Sequence, residues 1–344
     1  MSNGEKLRIG IVGAGFMGKT YAACVAKNLP EAQLTGVSAE RGADEIATEY
    51  KVKQYDRWED LVNSDEIDVV LTPTPQLFHA RIALAALNAG KHVMVEKPMA
   101  TTVEDCDKMI EAAKKNNVKI TVAQTQRHRI CNYIAKEAID SGKIGKVHQI
   151  RGLCMEPEAK ANVPRWNLDP EQGGLILGHC IHTYDSIRFF TGQEIKSIYA
   201  KCRNYMPHLP SDGTVEALME MADGSTAYIF NSFELPPPSF KEKYNFQIFC
   251  QDGLLDVDSY SHAKMAIRGG QWETIAVQEP IDWKGKGYLD QVRLASFTRL
   301  LKTFFAAIIN DKEPPITGWD GRQAVAAVLA CYESQRTGKA IDLS

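Results

Sequence analysis

The chain has 344 residues, 44% hydrophobic and 24% charged, an ordinary globular balance on a length that exceeds one comfortable core, so two domains are expected. Its net charge of −3 gives no electrostatic case for nucleic acid or an anionic membrane as partner, and no apolar run reaches the ~18 residues of a membrane span. Eight cysteines, none in a C-x-x-C pair, argue against a zinc knuckle or a redox motif. They read as buried thiols in a reducing compartment, and "MSNGEKLRIGIVGAG" has no secretory pattern, so the cytoplasm is the expected location.

In chain order, "LRIGIVG" (7–13) predicts a buried strand and Met17 to Asn28 a helix. "QLTGVS" (33–38) and "DVVLTP" (68–73) predict strands, "ADEIATEY" (43–50) and "QLFHARIALAALNAG" (76–90) helices. "KHVMVE" (91–96), a helix over 102–117 and "VKITVA" (118–123) complete the series. Such alternation implies a parallel sheet with helices on both faces. The pattern then changes. A helix near 132–141, a long strand at 145–155 and a polar loop over 156–172 follow. From about 195 to 277 strand-like runs are separated by "DG" at 212–213, 223–224 and 252–253 and by "GG" at 269–270, which predicts a mainly antiparallel sheet. Helical segments near 288–310 and 321–337 close the chain. The fold class is α/β: a parallel-sheet α/β domain over 1–123, and an α+β domain on a mainly antiparallel sheet over 124–344, its last helices able to pack back on the first.

"GAGFMG" (13–18) matches G-x-G-x-x-G between a strand and a helix, the context that the dinucleotide fingerprint requires. Gly13 permits the tight turn, Gly15 lets backbone approach a pyrophosphate, and Gly18 allows helix–strand packing; Phe16 and Met17 complete the cofactor-binding turn. A tight turn without a ligand is the competing reading. After the second strand, "GVSAERG" (36–42) offers Glu40 for ribose hydroxyls, favouring NAD, and Ser38 with Arg41 for a 2′-phosphate, favouring NADP. Both readings stand, as does Arg41 as a plain surface charge. "HVMVEKP" (92–98) ends a strand in Glu96-Lys97-Pro98 at the carboxyl edge of the sheet, where ligands of open α/β sheets bind. A lysine there can accept a proton if burial or a cationic ring lowers its pKa; an ordinary surface lysine is the alternative.

These motifs, with "TPQLFH" (74–79), "GKHVMVEKPM" (90–99), "GKIGKV" (142–147) and the closing "AAVLACYESQRTGKAIDL", resemble the glucose–fructose oxidoreductase / inositol dehydrogenase / MocA family over nearly the whole chain. The resemblance implies an N-terminal Rossmann dinucleotide-binding domain (1–123) and a C-terminal α+β domain on an open, mainly antiparallel sheet (124–344), NAD(P)-dependent hydride transfer at a carbinol carbon of a sugar or cyclitol, and a homo-oligomer, dimer or tetramer, through the C-terminal sheet. It places Lys97 as a catalytic, nicotinamide-site residue and Thr74, Pro75, His79 and Glu96 on cofactor-side positions, with Gln76 where asparagine is usual. It sets Trp166 of "RWN" (165–167) near the nicotinamide, Arg165 near a phosphate or hydroxyl, and Arg127 of "QTQRHR" (124–129) facing the substrate.

"GGLILGHCIHTYD" (173–185) resembles the family's G-G-x-x-x-D-x-G-x-H-x-x-D. His182 falls on the catalytic histidine and Asp185 on the acid that orients it or binds a hydroxyl. The aspartate expected at 178 is Gly178, and the family's glycine is Cys180. At about 100° per residue, His182 and Asp185 share a helix face and His179 lies about 60° off, at its rim. His182 is expected to work with Lys97, with His179 or a substrate hydroxyl taking the missing acid's role. Core histidines with satisfied partners are the plain alternative. A metal on His-x-x-His plus Asp is not expected, because the cysteines lack ligand spacing. The competing functions are a glycoside-cleaving enzyme that keeps its NAD and a non-catalytic NAD(P) sensor.

Overall fold

A computed structural model describes residues 6–157, 169, 173–206, 212–236, 238 and 244–344. The continuous apolar runs near the N-terminus form one sheet: β1 (Leu7–Val12), β2 (Ala32–Ser38), β3 (Lys53–Gln54), β4 (Val69–Thr72), β5 (His92–Val95) and β6 (Ile120–Val122). Its order is β3-β2-β1-β4-β5-β6 and every pair is parallel. All four residues of β4 are buried, the signature of a strand covered on both faces. The connecting helices are α1 (Phe16–Asn28), α2 (Ala43–Tyr50), α3 (Trp58–Val62), α4 (His79–Asn88) and α5 (Val103–Lys115). β3 and α3 are additions to the expected series, and both are too short to carry a periodic signal. The strand order reverses between β1 and β4, the switch point outside which ligands of such sheets bind.

The second sheet has nine strands: β7 (Val147–Pro157), β8 (Ile195–Arg203), β9 (Thr214–Met221), β10 (Thr226–Leu235), β11 (Tyr244–Cys250), β12 (Gly253–Asp258), β13 (His262–Ile267), β14 (Glu273–Val277) and β15 (Ile341–Asp342). Their order is β14-β13-β12-β11-β7-β10-β9-β8-β15, and only β7–β10 pairs parallel. β9 shows why the sheet is one-sided. Val215, Ala217, Met219 and Met221 are buried, while Glu216, Leu218 and Glu220 are exposed. The inner face is covered by α7 (Ile181–Thr191) and the later part of α9 (Gly318–Thr337). Thr183 of α7 sits on Gly152 of β7, and Ser334 Oγ of α9 accepts from Ala200 N of β8 at 2.9 Å. α6 (Ile130–Asp140) packs on β12, β13 and β14. Three of the four glycine turn signals join hairpins; the fourth, Asp212-Gly213, precedes β9 and has a different role.

The chain divides into two compact units. The first holds the residues up to Thr125 together with Ile281–Arg322; the second holds Gln126–Pro280 and Gln323–Ser344. The boundary expected from sequence left 281–322 with the second. As that reading allowed for the last helices, α8 (Gln291–Ile309) lies along α1, where Phe297 meets Tyr21 edge-on at 5.9 Å and Asn28 Nδ2 donates to Thr298 Oγ1 at 3.2 Å. The apolar face of α8, with Leu294, Leu301, Phe304 and Phe305 buried, is what fixes it there. All eight cysteines are free thiols. Burial pushes Cys24 up to about 11 and Cys106 up to about 12, so both stay protonated and inert. Among the described residues no helix is long and apolar enough to cross a membrane.

Candidate active site

The three glycines between β1 and α1 have three different surroundings. Gly13 has φ +116°, and a Cβ there would lie 2.4 Å from Pro73 O. A Cβ on Gly18 would lie 2.1 Å from Gly13 O. One on Gly15 would meet nothing within 4 Å. Gly15 is the N-cap of α1, which has no side-chain cap and no acid in its first turn. Bare N–H groups at the positive end of a helix, with open space before them, fit a pyrophosphate. Gly13 N donates to Ser38 O at 2.8 Å, which ties the end of β2 to this turn. Ser38 is buried, while Glu40 and Arg41 both stand exposed. The acid that suits ribose hydroxyls and the base that suits a 2′-phosphate are thus both presented.

At the same sheet edge lies the turn after β4. Pro73 packs on Gly13 and Gly18, which brings Thr74 and Pro75 beside the glycine turn. His79 is buried. Its Nδ1 lies 2.7 Å from Pro98 O and its Nε2 2.8 Å from Thr74 O; the neutral ring donates to one of these carbonyls and packs against the other, which places it between the two turns. Both ring nitrogens therefore face backbone carbonyls, and His79 shapes this edge through the turns it touches. Burial keeps its pKa below the usual 6.5, against the two carbonyls and Glu96, which favour the proton. Glu96 is nearly fully buried; Oε1 accepts from Tyr21 Oη, and Oε2 accepts from Lys97 N at 3.1 Å. Lys97 is half-buried at the end of β5, before a cis peptide to Pro98.

Sequence reading missed Arg293. This buried α8 residue stacks on Phe16 at 4.5 Å and on Phe297 at 4.6 Å. It donates to Thr20 Oγ1 at 2.8 Å and to Met17 Sδ at 3.3 Å. Phe16 also meets Tyr288 edge-on at 6.3 Å. The x-x of G-x-G-x-x-G is thus held by a helix far along the chain, and no local signal announces it.

In the second unit the 173–185 segment departs from the regular helix assumed above. Residues Ile176–Cys180 form a wider π-helical turn, and α7 follows from Ile181. The uniform 100° step therefore fails across this stretch, and the 60° offset derived from it does not describe His179. His179 is half-buried, with its ring edge-on to Phe233 at 5.1 Å and its carbonyl accepting from Tyr244 Oη at 3.0 Å. His182 is buried in the first turn of α7. Asp185, fully buried, accepts from Arg127 Nε at 2.8 Å and Nη2 at 2.6 Å. Arg127 also stacks on Phe189 at 5.4 Å. Two side chains expected to face substrate are thus brought together as a bidentate ion pair. Gly178 is buried in the π turn. Arg165 and Trp166 lie outside the described residues. Among the described residues no group of three or more His, Cys, Asp and Glu converges as a metal site.

A six-stranded parallel sheet in this order, with a glycine turn at its switch point, defines a Rossmann-type dinucleotide-binding protein that carries a second, sheet-based unit. The profile described as an oxidoreductase family with NAD-binding Rossmann fold matches residues 7–124, and that of the GFO/IDH/MocA C-terminal domain matches 134–256. The chain belongs to the GFO/IDH/MocA family of NAD-binding oxidoreductases, and is a nicotinamide-dependent oxidoreductase acting on CH–OH groups. It is 25% identical to a myo-inositol 2-dehydrogenase of Thermotoga maritima over 98% of both chains. It is 26% identical to the solved apo scyllo-inositol dehydrogenase of Lactobacillus casei, with 98% of each chain covered and a TM-score of 0.79. A structure of levoglucosan dehydrogenase with NADH matches with a TM-score of 0.87 over 99% of this chain and 100% of the other; at 22% identity it speaks for the fold alone.

Proposed function

We propose that this chain is a dehydrogenase of a polyol, sugar or cyclitol, with Lys97 and His182 serving the proton of the reacting hydroxyl. The observation that carries the reading is the shared edge of the first sheet: the open turn at Gly15 and the Glu96-Lys97 turn are linked through Pro73 and His79. The similarity to inositol dehydrogenases supports a polyhydroxylated ring as substrate. When bound, the nicotinamide supplies the hydride acceptor or donor. The chain's own task is to orient the carbinol and to exchange its proton. Lys97 accepts that proton, and His182 orients the hydroxyl or relays the proton onward. His179 or a second hydroxyl of the substrate stands in for the acid absent at Gly178. Arg127 and Asp185 hold α7, and so serve His182 from behind. Eight free thiols fit a reducing compartment, the cytoplasm. The open face of the second sheet, with Tyr199, Leu218 and Leu254 exposed, is the surface by which copies associate.

The test is reduction of NAD or NADP by a panel of polyols, followed by absorbance of the reduced nicotinamide. Lys97→Met and His182→Gln are each expected to lower kcat about 10²- to 10⁴-fold, the range of a lost acid–base group. Full turnover by Lys97→Met sinks the mechanism. Cleavage of glycosides without net reduction of added cofactor replaces it with the glycoside-cleaving reading.

A further inference from the structure

The segment that carries His179 and His182 begins without a cap of its own. Gly173 and Gly174, both at positive φ, precede its first turn and have no side chain to offer. A helix start leaves N–H groups that need acceptors, and a carboxylate there also meets the positive end of the dipole. Asp212 supplies both from 36 residues away. Its Oδ1 accepts from Leu175 N at 2.9 Å and its Oδ2 from Ile176 N at 3.0 Å. Tyr332 of α9 completes the arrangement. Its hydroxyl donates to Asp212 Oδ2 and lies 3.1 Å from Gly173 O. Burial, then the charge of Asp212, pushes the Tyr332 phenol well above its usual value, so the proton stays on the phenol as donor.

The location of this cap gives it a function. The bonds on Leu175 and Ile176 sit where the π turn Ile176–Cys180 begins. A π turn is a rare winding that neighbouring contacts must hold. Among the described residues, contacts that do so include Asp212 at its start, Tyr244 Oη on the carbonyl of His179, and Arg127 on Asp185 one turn into α7. Release of the first lets residues 175–180 rewind toward α geometry. That rotates His179 and loosens the first turn of α7, which bears His182.

We infer that Asp212 and Tyr332 are positioning residues that hold the π turn and thereby set His179 and His182 for the reaction. This rests on the roles assigned to those histidines above. The test uses the full chain. In Asp212→Ala, amide exchange across 175–182 is expected to quicken at least about tenfold, since opening needs one anchor fewer. On the polyol that the wild type turns over fastest, kcat is expected to fall at least about tenfold while KM for the dinucleotide stays within about twofold. Tyr332→Phe leaves the two bonds of Asp212 to the backbone in place. It should show a smaller change of the same kind, and it carries the test if Asp212→Ala does not fold. Asp212→Asn, which keeps an acceptor but not the charge, should recover part of both effects. Unchanged exchange in Asp212→Ala and Tyr332→Phe overturns the inference whatever the turnover. Faster exchange with unchanged kcat overturns the positioning role and leaves only a structural cap. His182→Gln separates the two levels: if it keeps full turnover, the assignment of His182 has failed, and the exchange data still decide whether Asp212 holds the turn.

Discussion

At the scale of single residues, the three glycines of the first turn can be told apart by experiment. Gly15 has φ −71°, open to any residue, and a Cβ there touches nothing. Gly15→Ala should therefore fold with an unchanged melting temperature. It should raise KM for the dinucleotide about tenfold or more, equivalent to ~1.4 kcal/mol, because the methyl takes the space a pyrophosphate needs. Gly18→Ala should do the opposite. Its Cβ would press on Gly13 O at 2.1 Å, which is backbone and cannot yield, so a loss of about 1–3 kcal/mol or more is expected from denaturant unfolding. Equal loss of stability in both variants contradicts this division. The glycine turn was legible because all its parts lie within six residues. Asp185 was not. Its type and position suggested that it orients His182 or binds a hydroxyl; the ion pair with Arg127, 58 residues away, is found only once the chain is folded.

At the scale of elements, the carboxyl edge of the first sheet depends on neutral His79 between the turns after β4 and β5. Its depressed pKa makes that packing sensitive to acid. An imidazole whose folded pKa lies below its unfolded value takes up its proton later in the fold than in the unfolded chain. Between the two values the unfolded chain holds more proton, so stability is full above about 6.5 and is lost as pH falls through the folded value. His79→Asn lacks this titration. The gap in unfolding free energy between wild type and His79→Asn is expected to narrow from about pH 7.5 to about pH 5.5, by at most ~1.4 kcal/mol per pH unit. A gap that stays constant or widens contradicts the assignment. The helices and strands around this edge follow from periodicity and were legible. The π turn was not, because nothing in "GGLILGHCIHTYD" distinguishes it from an α-helix. Asp212, Tyr244 and Arg127, brought in from elsewhere, hold that winding.

At the scale of the whole molecule, the second sheet leaves one face open among the described residues, and the alternation along β9 places Leu218 in it at 55% exposure. An exposed leucine beside Tyr199 is costly to leave in water if the face is large, and the association proposed above would remove it. Leu218→Asp is expected to lower the mass measured by light scattering to that of a smaller species, with the monomer fold retained by circular dichroism. A wild type that is already monomeric contradicts the association reading. The division into units is also a whole-molecule property. α8 follows the second sheet in sequence, which placed it with the later domain while allowing it to pack back on the first. The apolar face that includes Leu294 and Phe297, with the bonds of Arg293 to Thr20 and Met17, assigns it to the first.

The sequence by itself determined the strand–helix alternation, the glycine turn, the Lys97 edge and the mainly antiparallel second sheet, because each is written in short-range spacing or periodicity. Tertiary structure alone decided what holds those parts in place: Arg293 behind the glycine turn, Arg127 on Asp185, and Asp212 with Tyr332 at the head of the histidine segment. These are bonds between residues tens to hundreds of positions apart. Their geometry exists only after burial has brought the elements together, so no local pattern records it.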